Sequence, residues 1–333
     1  MDVTTMPRPR LKAKAAAGMK ACRIHAFGPP EFITVEDVHR PSPGEGEMLV
    51  RVEAAGAGPW DAWIRTGRSA LPQPLPLTLG SDLSGLVVAV GPGVMDFAVG
   101  DKVFGATNAR FTGAYAEYAV VTAAMMAGKP RSLTHVEAAS VPVVAATAWQ
   151  ALFEQARVGP GQRVLIHGAA GNVGAYAVQL AKLAEAHVIA TASAADLDFV
   201  RGLGADEVID YRATRFEAST QDIDVVVDLV GGEVQTRSFA VLKTGGMLVS
   251  GVSPLDAALA ARHGVEARFF LVDVTTMHLT RLAEMIDAGD LEANIGIVLP
   301  LSEARIAHRM LEGTQPHPRG KIVLEVEGLI GWP

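Results

Sequence analysis

The residues with the clearest chemical potential are the glycines of Gly168-Ala169-Ala170-Gly171-Asn172-Val173-Gly174, spaced G-x-x-G-x-x-G. Glycine lets a chain turn tightly and approach a pyrophosphate closely, and the last of the three lets a following helix pack against the preceding strand. Free amides at the helix start and the helix dipole then favour phosphate charge. Gly168, Ala170, Gly171, Asn172, Val173 and Gly174 are therefore candidate dinucleotide ligands. Cofactor choice falls to the end of the second strand, about twenty residues on, where an Asp or Glu would take the ribose 2′-hydroxyl of NAD. Here that place reads Ala190-Thr191-Ala192-Ser193. Small and hydroxyl residues leave room for a 2′-phosphate that Ser193 can bond, so NADPH is favoured over NADH, although the next charge, Asp196, opposes it. The nine histidines show neither H-x-H nor H-E-x-x-H, and no G-x-S-x-G elbow marks a hydrolase. A single cysteine, Cys22, rules out an intramolecular disulfide and any zinc site with two or more thiolates, and a reducing cytoplasmic compartment is the expectation.

Such a turn needs a strand before it and a helix after it. The run 164–167 is an apolar strand, and over 172–185 the residues Val173, Ala177, Leu180, Ala181 and Ala184 keep helical spacing. A strand at 187–192, a helix at 195–203 stopped by Gly204, and a strand at 208–210 follow. Almost continuous apolar and β-branched residues over 223–230 read as a strand buried on both faces. A helix at 233–242, a Gly245-Gly246 turn, a strand at 247–250 and a helix at 277–288 complete the series. Strand and helix in alternation predict a doubly wound parallel α/β sheet. Before it, short β-type runs at 33–35, 48–52, 86–90 and 116–121, divided by Gly and Pro, predict a compact β domain. The late runs 295–299 and 321–326 are expected to rejoin that domain.

The 333 residues suit about two domains. One is expected over 19–145 plus 286–333 and the dinucleotide domain over 146–285, behind a disordered tail at 1–18 that carries Arg8, Arg10, Lys12 and Lys14 but no apolar signal segment. A net charge of −7 argues against nucleic acid or an anionic membrane as partner. No apolar run approaches the roughly 18 to 20 residues that cross a bilayer.

From Met19 to Val326 the chain resembles the zinc-independent quinone oxidoreductases, the zeta-crystallin-like branch of the medium-chain dehydrogenase/reductase superfamily. The likeness is carried by Phe27-Gly28-Pro29-Pro30, Asp61-Ala62-Trp63-Ile64-Arg65-Thr66-Gly67, Gly80-Ser81-Asp82-Leu83-Ser84-Gly85, Val99-Gly100-Asp101-Lys102-Val103, the glycine turn, Leu203-Gly204-Ala205-Asp206 and Gly320-Lys321-Ile322-Val323. It implies a Rossmann domain inserted in a GroES-like, mostly β domain, with the active site in the cleft between them. By matching position it sets Thr147 against the nicotinamide, Ser193 and Tyr211 near the adenosine ribose phosphate, Gly232 near the adenine-side ribose, and Lys321 on a phosphate. Gly251, Val252, Phe269, Phe270 and Leu271 are to reach the carboxamide through backbone groups.

In zinc members of the superfamily a Cys ligand falls near Gly58 and a His-Glu pair near Ser81-Asp82; neither is present here, so no zinc is expected. The Asn and tyrosines usual around Asp61 are also replaced, by Gly58, Trp63 and Ser69, which disfavours a thioester enoyl reductase. The resemblance implies transfer of hydride from NADPH to a quinone or an α,β-unsaturated carbonyl, with developing oxygen charge met by hydrogen-bond donors. Ser69 and Asp61 are candidate proton donors beside water, and Trp60 and Trp63 a candidate aromatic wall for a planar acceptor. The alternative is a dinucleotide-binding redox sensor or partner-binding protein with little catalysis. The run 267–275 is expected at a sheet edge, where strand pairing would build a homodimer.

Overall fold

A computed structural model describes residues 18–326, and the tail expected over 1–18 lies outside these except for Gly18, which opens the first strand. Six parallel strands form one sheet in the spatial order Glu207–Asp210, His187–Ala192, Arg163–His167, Ile223–Asp228, Leu242–Ser250, Glu266–Phe269. In chain order this is 3-2-1-4-5-6, the doubly wound arrangement whose direction reverses between the first and fourth strands. Alternation fills both faces. Val164, Ile166, Val188, Ala190, Val225 and Val227 pack under the helices Pro142–Trp149, Asn172–Leu183 and Thr276–Ala288. Leu165, Ile189, Val226 and Leu248 point to the other side, onto Phe239 and Val241.

Among the described residues a second, seven-stranded sheet is mostly antiparallel and is built around the long strand Glu47–Ala57. Asp82–Val90 pairs along one edge of it, and Tyr118–Thr122 and Lys321–Glu325 share the other. The C-terminal strands Ile295–Pro300 and Lys321–Glu325 thus complete the N-terminal domain, and Cys22 lies buried there, its Sγ 3.3 Å from the carbonyl of Leu301.

The chain passes between the two sheets through helices. The expected boundaries at 145/146 and 285/286 fall inside Pro142–Trp149 and Thr276–Ala288, because both helices bury their apolar faces in the core they connect. Several elements end earlier than their composition predicts, among them two helices and two strands. The helix Asn172–Leu183 stops short of Glu185, whose φ is +57°. The strand Ile223–Asp228 ends where Asp228 Oδ1 accepts from the amides of Val230 and Gly231. The edge strand Glu266–Phe269 is shorter than 267–275, because the chain beyond it turns away to meet Gln150. No helix among the described residues is long and apolar enough to cross a membrane.

Candidate active site

The strand registers place His167, Asp228, Ser250 and Phe269 side by side, so the loops that follow them share one edge of the parallel sheet. Gly168 begins its loop at φ +73°, a conformation that penalises any side chain. Gly174, buried in the first turn of the helix, faces the loop backbone: a Cβ there would lie 2.2 Å from the Gly168 oxygen and 2.7 Å from Ala169 Cα. The helix can start against the strand only without it. No side chain caps this helix start, which leaves the amides of its first turn to a ligand. Beneath the loop, His167 meets Thr191 Oγ1 at 3.1 Å and Ser238 Oγ at 3.0 Å, and burial pushes its pKa down to about 4, so it is a neutral bridge. Asp228 Oδ2 accepts from Gln235 Nε2 at 2.9 Å and Ser250 Oγ at 2.9 Å, fixing the bases of the Gly231-Gly232 and Gly251 turns. Neither His167 nor Asp228 carries a sequence signal beyond its place at a strand end.

Three of the residues expected at the nicotinamide do converge. Thr147 Cγ2 lies 3.6 Å, and the ring of Phe270 3.8 Å, from where a Cβ would stand on Gly251. Thr147 Oγ1 donates to the Val143 carbonyl at 2.7 Å, so its methyl is the group turned to this corner. Val252, Phe269 and Leu271 are exposed around it. The segment after Phe270 is held by Gln150, which donates to the carbonyl of Asp273 at 2.9 Å and accepts from its amide at 3.0 Å. Gln150 opens the π-helical turn Gln150–Gln155 that follows the Thr147 helix, and its role was not legible in the sequence.

At the far end of the sheet, Ser193 Oγ donates to Asp196 Oδ2 at 2.6 Å, and Arg319 Nε donates to Asp196 Oδ1 at 2.7 Å. Arg319 arrives from the loop before Lys321–Glu325 and lies over Phe199 at 4.1 Å. Tyr211, half exposed, is fixed beside Ser193 by its amide bonded to the Ala192 carbonyl, and Arg212 follows it. Gly232 is exposed at φ +62° on the intervening edge.

The β domain corrects two expectations. Lys321 is not a phosphate contact: it is 1% exposed, and Nζ donates to the buried Asp82 Oδ2 at 2.8 Å while lying 4.4 Å from the Trp60 ring. Asp61 is not placed to donate a proton to the cleft. It is fully buried, with Oδ2 accepting from the Gly58 amide at 2.8 Å and from Tyr115 OH at 3.3 Å, while Oδ1 has no partner. Burial pushes its pKa up to about 7. A carboxyl raised on folding contributes stability below the unfolded value near 4 and loses it as pH rises through about 7. Between pH 5 and pH 8 the wild type should therefore lose on the order of 2–3 kcal/mol more than Asp61→Asn, measured by urea midpoints. Equal losses would show that Asp61 does not titrate there. Ser69 stays in its own loop, accepting from the Leu71 amide at 3.3 Å and Gln73 Nε2 at 3.2 Å. Trp60 is half buried and donates to Ser81 Oγ at 2.8 Å, whereas Trp63 is 46% exposed.

The same residues do not fit a zinc ion. Asp82 is already shared between Lys321 and the Val143 amide at 3.2 Å, and the Trp60 ring fills the space a side chain on Gly58 would need. Among the described residues no group of three or more His, Cys, Asp or Glu side chains could hold a metal.

A Rossmann sheet joined to a GroES-like β domain that the C-terminal strands complete defines a medium-chain dehydrogenase/reductase. Residues 44–131 match the alcohol dehydrogenase GroES-like domain and residues 203–324 the family described as zinc-binding dehydrogenase. The chain is 33% identical to the NAD(P)H oxidoreductase RTN4IP1, mitochondrial, of Bos taurus, over 97% of this chain and 91% of that protein. It is 34% identical to the chloroplast envelope quinone oxidoreductase homolog of Arabidopsis thaliana, over 86% of this chain and 91% of that one. The solved quinone oxidoreductase of Coxiella burnetii superposes with a TM-score of 0.87 at 35% identity, covering 93% of this chain and all of that one. The chain belongs to the quinone oxidoreductase-like branch of the superfamily.

Proposed function

We propose that the chain is an NADPH-preferring, zinc-independent reductase of quinones or α,β-unsaturated carbonyls. The observation that carries this reading is the close approach at Gly174, which leaves the first-turn amides free on the same sheet edge as a corner made by Thr147, Gly251 and Phe270. A reduced nicotinamide bound at that corner supplies hydride. The amides of the glycine loop hold its diphosphate, Thr147 and Phe270 bound the corner, and Gln150 keeps the 271–274 segment in place. With Asp61 buried, water is the proton source we assign, with Ser69 beside it, since the Ser69 Oγ accepts both of its loop bonds and keeps its own proton. Trp60 supports the acceptor side as a wall anchored on Ser81. Arg319 and Ser193 support a 2′-phosphate, which is why NADPH is the preferred carrier.

The test is titration with NADPH and NADH followed by steady-state assay against quinones and enones. NADPH binding with acceptor-dependent turnover is the expected result. Tight binding without turnover would replace it with the sensor or partner-binding reading. The exposed Phe269 and Leu271 at the sheet edge support a homodimer through Glu266–Phe269, and a monomeric mass by light scattering at micromolar concentration would reject that.

A further inference from the structure

Ser193 and Arg319, the groups that favour a 2′-phosphate, are both already engaged by one carboxylate. Asp196 accepts from Ser193 Oγ through Oδ2 and from Arg319 Nε through Oδ1, at 2.6 and 2.7 Å. Its own amide bonds back to the Ser193 carbonyl at 2.8 Å, so the three-residue turn fixes where the carboxylate stands. The cluster is open to a ligand: the Asp196 side chain is 25% and that of Arg319 35% exposed. Arg319 rests on the Phe199 ring, and no hydrogen bond engages its Nη1 or Nη2 among the described residues.

We infer that Asp196 is a cofactor-selectivity residue whose carboxylate competes with a ribose 2′-phosphate for Ser193 and Arg319, holding the chain to a weak NADPH preference in place of a strict one. The inference rests on the dinucleotide reading of the same site. A phosphate monoester brings about −1.5 to −2 charge at neutral pH and seeks charge-assisted donors. Here it meets a fixed negative charge that cancels one of the two nearby arginines, Arg212 and Arg319, and that must give up or share both of its donors. The bond from Ser193, followed by Arg319, holds the Asp196 carboxyl below its usual range, so protonation does not remove the competitor at neutral pH. The neutral 2′-hydroxyl of NADH incurs no such repulsion and can itself donate to a carboxylate. Selectivity is a difference of two affinities, and Asp196 lowers only one of them.

Calorimetric titration of wild type, Asp196→Asn and Asp196→Glu with NADPH, NADH, adenosine 2′,5′-bisphosphate and adenosine 5′-monophosphate tests this. Asp196→Asn is expected to tighten NADPH and the bisphosphate about tenfold, roughly one 1.4 kcal/mol step, while NADH and the monophosphate move less than about threefold. Asp196→Glu, which keeps the charge, is expected to retain the wild-type ratio within about threefold. Binding of both carriers with an unchanged ratio in Asp196→Asn, or the same gain in Asp196→Glu, overturns the inference and leaves the dinucleotide reading standing. Failure of wild type to bind either carrier overturns both.

Discussion

Gly174→Ala should weaken NADPH and NADH binding about thirtyfold to a hundredfold, equivalent to about 2–3 kcal/mol. The added methyl group would stand 2.2 Å from the Gly168 carbonyl oxygen and 2.7 Å from Ala169 Cα, and backbone cannot rotate aside as a side chain can. Either the helix Asn172–Leu183 moves off the strand or the loop shifts, and both displace the first-turn amides on which the proposed diphosphate site depends. Gly202→Ala is the matched control. No atom lies within 4 Å of its Cβ position, and it ends a helix with negative φ, so it should bind both carriers as wild type does. Isothermal titration of the two variants decides the matter, and affinity within about threefold of wild type for Gly174→Ala would remove the glycine turn from the cofactor site.

Lys321→Met should cost about 3–5 kcal/mol of stability, the usual penalty for stripping the partner from a buried charge. Asp82 has no water to turn to: it is fully buried, and its remaining bond is the amide of Val143. Burial raises its pKa and Lys321 opposes that rise. With the ammonium gone, a carboxyl raised on folding contributes stability at acid pH, below its unfolded value, and loses it as pH increases through its folded value. The deficit of Lys321→Met should therefore shrink as pH falls from about 8 to about 5. Removing both charges in Lys321→Met with Asp82→Leu should restore much of the loss, because an apolar pair of similar volume needs no solvation. Denaturation midpoints across pH check both statements. A deficit that grows toward acid would contradict the assigned direction. Because Val143 lies in the first turn of the helix that carries Thr147, the single variant is also expected to loosen the corner of Thr147, Gly251 and Phe270.

The parallel sheet was legible because its signals are local. Runs such as 164–167 and 187–192 are apolar and β-branched, and the helix after Gly171 keeps its spacing over twelve residues. Thr147, Gly251 and Phe270 were placed by family resemblance, and packing brings them together. What the sequence hid is set by distance along the chain. Arg319 reaches Asp196 across 123 positions, and Lys321 reaches Asp82 across 239, so neither partner is a neighbour in any local pattern. Asp61 and Lys321 share one lesson. A charged residue inside a shared motif can be there to satisfy a buried backbone amide or a buried opposite charge, and its type alone does not separate that from chemistry.

The burial of Cys22 has a protective consequence. Quinones and enones are Michael acceptors, and the thiolate is the form of cysteine that adds to them. Here the sulfhydryl is wholly covered, and that covering pushes its pKa up to about 12, so almost none of it is ionised near neutral pH. If the acceptors are the electrophiles proposed above, the single thiol of the chain is kept out of their reach.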